Sequence, residues 1–103
     1  MNDMRMTNHT ATLHAVVLGK VQGVFYRAWT RDMATALGLS GWVRNLPDGA
    51  VEVLARGEAE VVARLHGLLA EGPPLSRVAE VRLLPSGEPE DEAPVAPGFT
   101  VRR

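Results

Sequence analysis

The spacing of apolar residues changes period repeatedly between Leu13 and Leu84, and the order of those changes constrains the fold more than any single residue does. Leu13 to Leu18 is apolar except for His14, rich in valine and stopped by Gly19, which predicts a central strand covered on at least one face. From Tyr26 the period lengthens. Tyr26, Trp29, Met33, Ala36 and Leu37 share one face of a helix, with Gly38 where a left-handed C-terminal cap belongs. Ser40 to Leu46 predicts a second strand and Ala50 to Ala55 a third, joined through Pro47, Asp48 and Gly49 as a hairpin. Gly57 then opens a second helix, with Glu58 and Glu60 in the first turn, where the dipole favours anions. Its stripe is Val61, Val62, Leu65, Leu68 and Leu69, and it ends at Gly72, Pro73 and Pro74. Val78 to Leu84 alternates as a fourth strand does, and Phe99 to Arg102 adds a short fifth at an edge.

The predicted order is β-α-β-β-α-β. Two right-handed crossovers sharing a sheet give a ferredoxin-like α+β sandwich, an antiparallel sheet with both helices on one face. That architecture hosts many functions, so it names none.

Composition narrows the classes. A chain of 103 residues is one domain, expected over residues 13–103 behind a flexible segment, residues 1–12. The absence of cysteine excludes disulfides, thiolate nucleophiles and Cys-based metal sites. A net charge of −1 gives no global reason to bind nucleic acid. No apolar run approaches the ~20 residues of a membrane span, and the polar first dozen residues carry no secretory signal, so a cytoplasmic location is expected. Residues 85–98 hold Glu88, Glu90, Asp91 and Glu92, four prolines and no basic residue, which reads as a mobile acidic connector.

The connection Gly19-Lys20-Val21-Gln22-Gly23-Val24-Phe25 is the most informative stretch. It enters a helix with no Ser, Thr, Asp or Asn at a cap position, so the first N–H groups have no obvious side-chain acceptor. Two glycines permit an anion-binding nest, and Arg27 in the first helical turn adds planar donors suited to phosphate. On spacing alone a water-satisfied loop beside a surface arginine is modestly favoured. It is no Walker loop, because Val21 stands where Ser or Thr is required. Asn45 lies near the end of the second strand, which runs parallel to the first with the third between them, so it could reach the same end of the sheet as the loop. It could instead begin the hairpin turn, the commoner role for an isolated Asn. Arg44 points to the opposite face by strand alternation. His9, His14 and His66 show no metal-ligand spacing, Asp32 and Glu58 read as solvated helix charges, and no serine sits in a nucleophile elbow.

Gly19-Lys20-Val21-Gln22-Gly23-Val24-Phe25-Tyr26-Arg27 resembles the phosphate-loop signature of the acylphosphatase family. Gly38 to Asn45, followed by Asp48-Gly49-Ala50-Val51-Glu52, resembles its second signature, and Gly72-Pro73 and Phe99-Thr100-Val101 fit the same pattern. The 85–98 loop is longer and more acidic than the family's usual one. The resemblance implies hydrolysis of carboxyl-phosphate anhydrides to carboxylate and phosphate, with no metal and no cofactor. By that analogy Arg27 and the backbone amides of Val21, Gln22, Gly23, Val24, Phe25 and Tyr26 hold the phosphoryl group, while Asn45 positions the attacking water. The implied partner is a small acyl phosphate, with phosphate as product and competitive inhibitor, acting on a monomer without nucleic acid or membrane. The chemistry suits these residues: an acyl phosphate has a good leaving group, so positioning and charge stabilisation carry the reaction.

Two other classes share the element order. An RNA-recognition module stacks bases on aromatics of its central strands, and Leu13–Leu18 and Ala50–Ala55 contain none. A catalytically silent relative would bind phosphate without turnover, and the intact Arg27 and Asn45 argue against that.

Overall fold

A computed structural model of the chain describes residues 9–85 and 98–102. The elements run β1 (Thr10–Lys20), α1 (Tyr26–Ala36), β2 (Ser40–Asn45), β3 (Val51–Glu58), α2 (Ala59–Glu71), β4 (Arg77–Leu83) and β5 (Phe99–Arg102). They form the expected β-α-β-β-α-β order around one sheet of strand order β4-β1-β3-β2-β5. The four longer strands pair antiparallel throughout, and β5 joins beyond β2 and runs parallel to it, with Gly41 opposite Phe99. The sheet is therefore mixed at one edge. Residues 1–8 and 86–97 lie outside the described residues, and with them most of the two segments expected to be flexible. Thr10–Thr12 belong to β1 rather than to an N-terminal segment, because β3 continues to Glu58 and supplies partners for all three.

The core lies between the sheet and its two helices. Alternation turns Leu13, Ala15 and Val17 of β1, Val43 of β2, and Val51, Val53 and Ala55 of β3 to the helical face, where all are buried. Val62, Leu65 and Leu69 of α2 cover them, but α2 begins at Ala59, not Gly57, because Gly57 pairs with Ala11 in the sheet. Glu60 occupies the first turn as expected. The buried line of α1 is Tyr26, Thr30 and Ala34, with Trp29, Met33 and Leu37 packed on its flank and Ala36 exposed. Thr30 and Ala34, the small members of this i, i+4 row, mark the line of closest approach, and bulkier residues flank it. Gly38 takes the expected left-handed conformation after α1, with φ of 75°.

β4 departs from simple alternation. Leu18 faces Glu80 and Gly19 faces Val78, so Ala79 is an extra residue that brings Val78 and Val81 to the same side. Gly19 makes this possible with φ of 126°. A Cβ there would stand 2.1 Å from the Arg77 carbonyl oxygen and 2.7 Å from the Ala79 nitrogen.

The face of the sheet away from the helices carries charge. Glu52, almost buried, accepts a 2.6 Å hydrogen bond from His14 Nε2 and a 2.7 Å hydrogen bond from Arg44 Nε. Burial alone pushes the Glu52 carboxyl up, but the hydrogen bonds from His14 and Arg44 and the charge of Arg44 outweigh it and hold it below the ordinary value. The Arg44 and Arg102 guanidiniums lie 5.3 and 4.7 Å from the centre of the Trp42 ring.

Two stability experiments follow from this arrangement. Gly19→Ala is expected to lower unfolding free energy by about 2 kcal/mol or more, since strain and a backbone collision coincide. Gly67→Ala, with open space around it in α2, is expected to raise it by about 0.5–1 kcal/mol. Urea titration of both variants checks the contrast. For Glu52, a lowered native pKa means that the unfolded state binds the extra proton, so stability rises with pH across that window. Wild type and Glu52→Gln should differ most at neutral pH. Their urea midpoints should converge as pH falls through and below the ordinary Glu value of about 4.3.

Candidate active site

The site begins where β1 leaves the sheet. Val21 and Val24 turn inward and are buried, which pins the loop at two points and leaves the residues around them at the surface. Gly23 and Phe25 both take positive φ, 76° and 63°, with Val24 between them on the negative side. Such alternation of hand turns successive N–H groups toward one point. Phe25 occupies the cap position of α1, and no side chain caps that helix, so its first N–H groups open onto the loop. Among the described residues, no backbone or side-chain acceptor takes the N–H groups of Val21 to Tyr26.

Gln22 holds this loop to the neighbouring hairpin. Its Nε2 donates to the carbonyl oxygens of Leu46 at 2.9 Å and Ala50 at 2.8 Å, the two residues that flank the β2–β3 turn. The turn itself is closed by Leu46 N–H to the Ala50 carbonyl and by the Asp48 carboxylate accepting from Ala50 N–H. Because β3 separates β1 from β2, this side chain spans the end of the central strand and ties the loop beside Asn45.

An open cleft of about 370 Å³ lies there, lined by the loop, Arg27 and Asn45. The structure thus brings Arg27 and Asn45 together with Val21, Gln22, Gly23, Phe25 and Tyr26. Val24 is the one loop residue that does not line the cleft, since its side chain is in the core. Among the described residues Arg27 donates only a long 3.4 Å contact, from Nη1 to the Arg102 carbonyl, so most of its guanidinium has no acceptor there. The Asn45 Oδ1 is buried and has no hydrogen-bond partner among the described residues. Tyr26 contributes backbone rather than phenol. Its hydroxyl donates a 2.6 Å hydrogen bond to the Leu69 carbonyl, and burial pushes its pKa up, so it stays neutral and structural. Arg44 lies on the other face, as strand alternation requires.

Sequence reasoning passed over Arg31 and Val101. Arg31 lines the cleft one turn after Arg27, a signal that i, i+4 spacing carried, and its Nε is 3.1 Å from the Asp32 carboxylate. Val101 reaches the cleft from β5, whose placement beside β2 no local pattern encoded. Among the described residues, no three His, Asp or Glu side chains gather as a metal site, and no helix is long and apolar enough to cross a membrane.

A ferredoxin-like sandwich with a cationic, amide-lined cleft beyond β1 and β2 defines the class. The comparisons with known proteins give the family. The acylphosphatase family model matches residues 13–101. Acylphosphatase 2 of Ralstonia nicotianae is 46% identical over 95 residues, covering 92% of this chain and 96% of that protein. Among solved structures, an acylphosphatase from Coxiella burnetii superposes with a TM-score of 0.75 at 37% identity, covering 94% of this chain and 96% of that one. An acylphosphatase from Bacillus subtilis gives 0.79 at 28% identity, covering 92% and 100%. The chain belongs to the acylphosphatase family, and the resemblance carried by its two motifs holds.

Removal of the Gln22 tie should loosen the loop without unfolding the chain. Gln22→Ala is expected to cost about 1 kcal/mol of stability, since both carbonyls keep their turn partners, and to weaken inorganic phosphate binding severalfold. Urea titration and calorimetric phosphate titration measure the two effects separately.

Proposed function

We propose that this chain hydrolyses acyl phosphates by holding the phosphoryl group between Arg27 and the Val21–Tyr26 amides while Asn45 orients water against it. The observation that carries the reading is the meeting, in one cleft, of the Arg27 guanidinium, a loop whose N–H groups find no acceptor among the described residues, and the Asn45 amide.

The division of labour follows from the bonds to be changed. Water oxygen attacks phosphorus, the bridging P–O bond breaks, and the acyl carboxylate departs with that electron pair. A carboxylate is a weak base, its conjugate acid having a pKa of about 4, so it needs no general acid to leave. Charge spreads over the three other phosphoryl oxygens, and fixed N–H donors and a guanidinium are suited to meet it. The Asn45 side-chain amide can hydrogen-bond the water and fix the direction of its lone pair. The released proton passes to phosphate or bulk water. Product phosphate presents the same oxygens to the same donors and should compete with substrate. One chain supplies every group in this scheme, so a monomer suffices.

Turnover of benzoyl phosphate above its spontaneous hydrolysis, with and without EDTA, tests the reading. Arg27→Ala should lose phosphate inhibition and roughly 100- to 1,000-fold of kcat/KM, the cost typical of removing a preorganised charge donor. Asn45→Ala should lose kcat by a similar factor while still binding phosphate. Turnover in both folded variants near the wild-type rate would place the chemistry elsewhere. Folded wild type without turnover would leave a phosphate-binding protein.

A further inference from the structure

Phe25 is placed at a cost on two counts. Its left-handed backbone, φ 63°, is a conformation that glycine adopts without strain and that costs a bulky residue about 1–3 kcal/mol. Its ring is also 79% exposed, although it is among the largest apolar side chains of the protein. Leu75, in the turn between α2 and β4, is 69% exposed as well. Both side chains line a second depression of about 460 Å³, walled also by Val24, Ala28, Trp29 and Pro73. Its single charged wall residue, Asp32, has its carboxylate beside Arg31. The two hollows meet at the first turn of α1, because Phe25 and Ala28 line both.

Their positions relative to the phosphate loop differ. In the sheet order β4-β1-β3-β2, Asn45 at the end of β2 lies on one side of the loop that follows β1. Leu75 precedes β4, the neighbour of β1 on the other side. In-line displacement needs the attacking water and the departing carboxylate on opposite sides of phosphorus. With water at Asn45, the leaving acyl group points toward the apolar depression.

We propose, on the basis of the function given above, that this depression binds the acyl group of the substrate. Phe25 and Leu75 are its lips, and the substrate class is acyl phosphates with aromatic or extended apolar acyl groups. The occupant is a small acyl chain rather than a protein, because the depression shares Phe25 and Ala28 with the phosphate cleft. Burial of the acyl group there covers the two exposed side chains and aims the scissile bond. Acetyl phosphate, with one methyl group, reaches little of this surface, whereas a phenyl ring reaches across it.

The test compares kcat/KM for acetyl, butyryl and benzoyl phosphate in wild type, Leu75→Ser and Phe25→Asn, each checked for folding by circular dichroism. Wild type should rank benzoyl over butyryl over acetyl. Leu75→Ser should lower the benzoyl-to-acetyl ratio by about tenfold, toward the lower end of what a lost apolar contact costs in a pocket, with inhibition by inorganic phosphate unchanged. Phe25→Asn, whose side chain tolerates the left-handed backbone, should lower the same ratio. A wild type that prefers acetyl phosphate, or a ratio unmoved in both variants, would overturn the acyl site while leaving the hydrolase intact. Wild type that turns over none of the three would overturn the hydrolase and the acyl site together.

Discussion

The β1–β3–β2 ladder is the constraint from which the site follows. With β3 bonded antiparallel to both neighbours, β1 and β2 must run parallel and end at the same edge, two strand spacings or about 10 Å apart. Val17, Val43, Val51 and Val53 are fully buried across these three strands, so a slip of one residue would expose them all. That register sets the distance between the loop after β1 and Asn45. Gln22 completes the span by bonding to both sides of the β2–β3 turn. A stiff ladder and one bridging amide therefore fix the loop and Asn45 relative to each other, as the proposed catalysis by orientation requires.

Groups that cost the fold free energy collect around that edge. Phe25 holds a left-handed backbone, and among the described residues α1 has no side-chain cap and the buried Asn45 oxygen has no partner. Each costs on the order of 1–3 kcal/mol in a folded chain. The buried side chains of α2 and the central strands offset them, since each fully buried Leu or Val contributes about 1.5–3 kcal/mol. The concentration of unmet donors, an unmet acceptor and backbone strain in one cleft distinguishes a site from an ordinary loop.

The element order, the β2–β3 hairpin, the parallel relation of β1 to β2 and the opposed faces of Arg44 and Asn45 were all legible, because each rests on periodicity or short-range turn chemistry. What was illegible depends on partners distant in sequence. The extra residue Ala79 is set by how β4 meets Gly19, and nothing within Val78–Leu84 signals it. The buried line of α1 runs through Thr30 and Ala34, as small residues let a helix approach a sheet, whereas hydrophobicity alone favoured Ala36. Gly57 looked like a helix start, but pairing with Ala11 drew it into β3. The second depression joins residues near 25 and near 75, which only the tertiary fold brings together.

Charge shows why composition was a poor guide to the site. A chain with a net charge of −1 can still present a cationic cleft, because its arginines have different neighbours. Arg44 is held by Glu52 at 2.7 Å on the helix-free face and contributes there to the fold. Among the described residues Arg27 meets only the distant Arg102 carbonyl, supplied by β5, and no carboxylate pairs with it, so its charge faces the cleft. The parallel edge strand thus does more than extend the sheet. It contributes Val101 to the cleft wall and a weak carbonyl contact to Arg27, which orients the guanidinium without neutralising it, and the phosphoryl group proposed to bind there would displace so weak a contact at little cost.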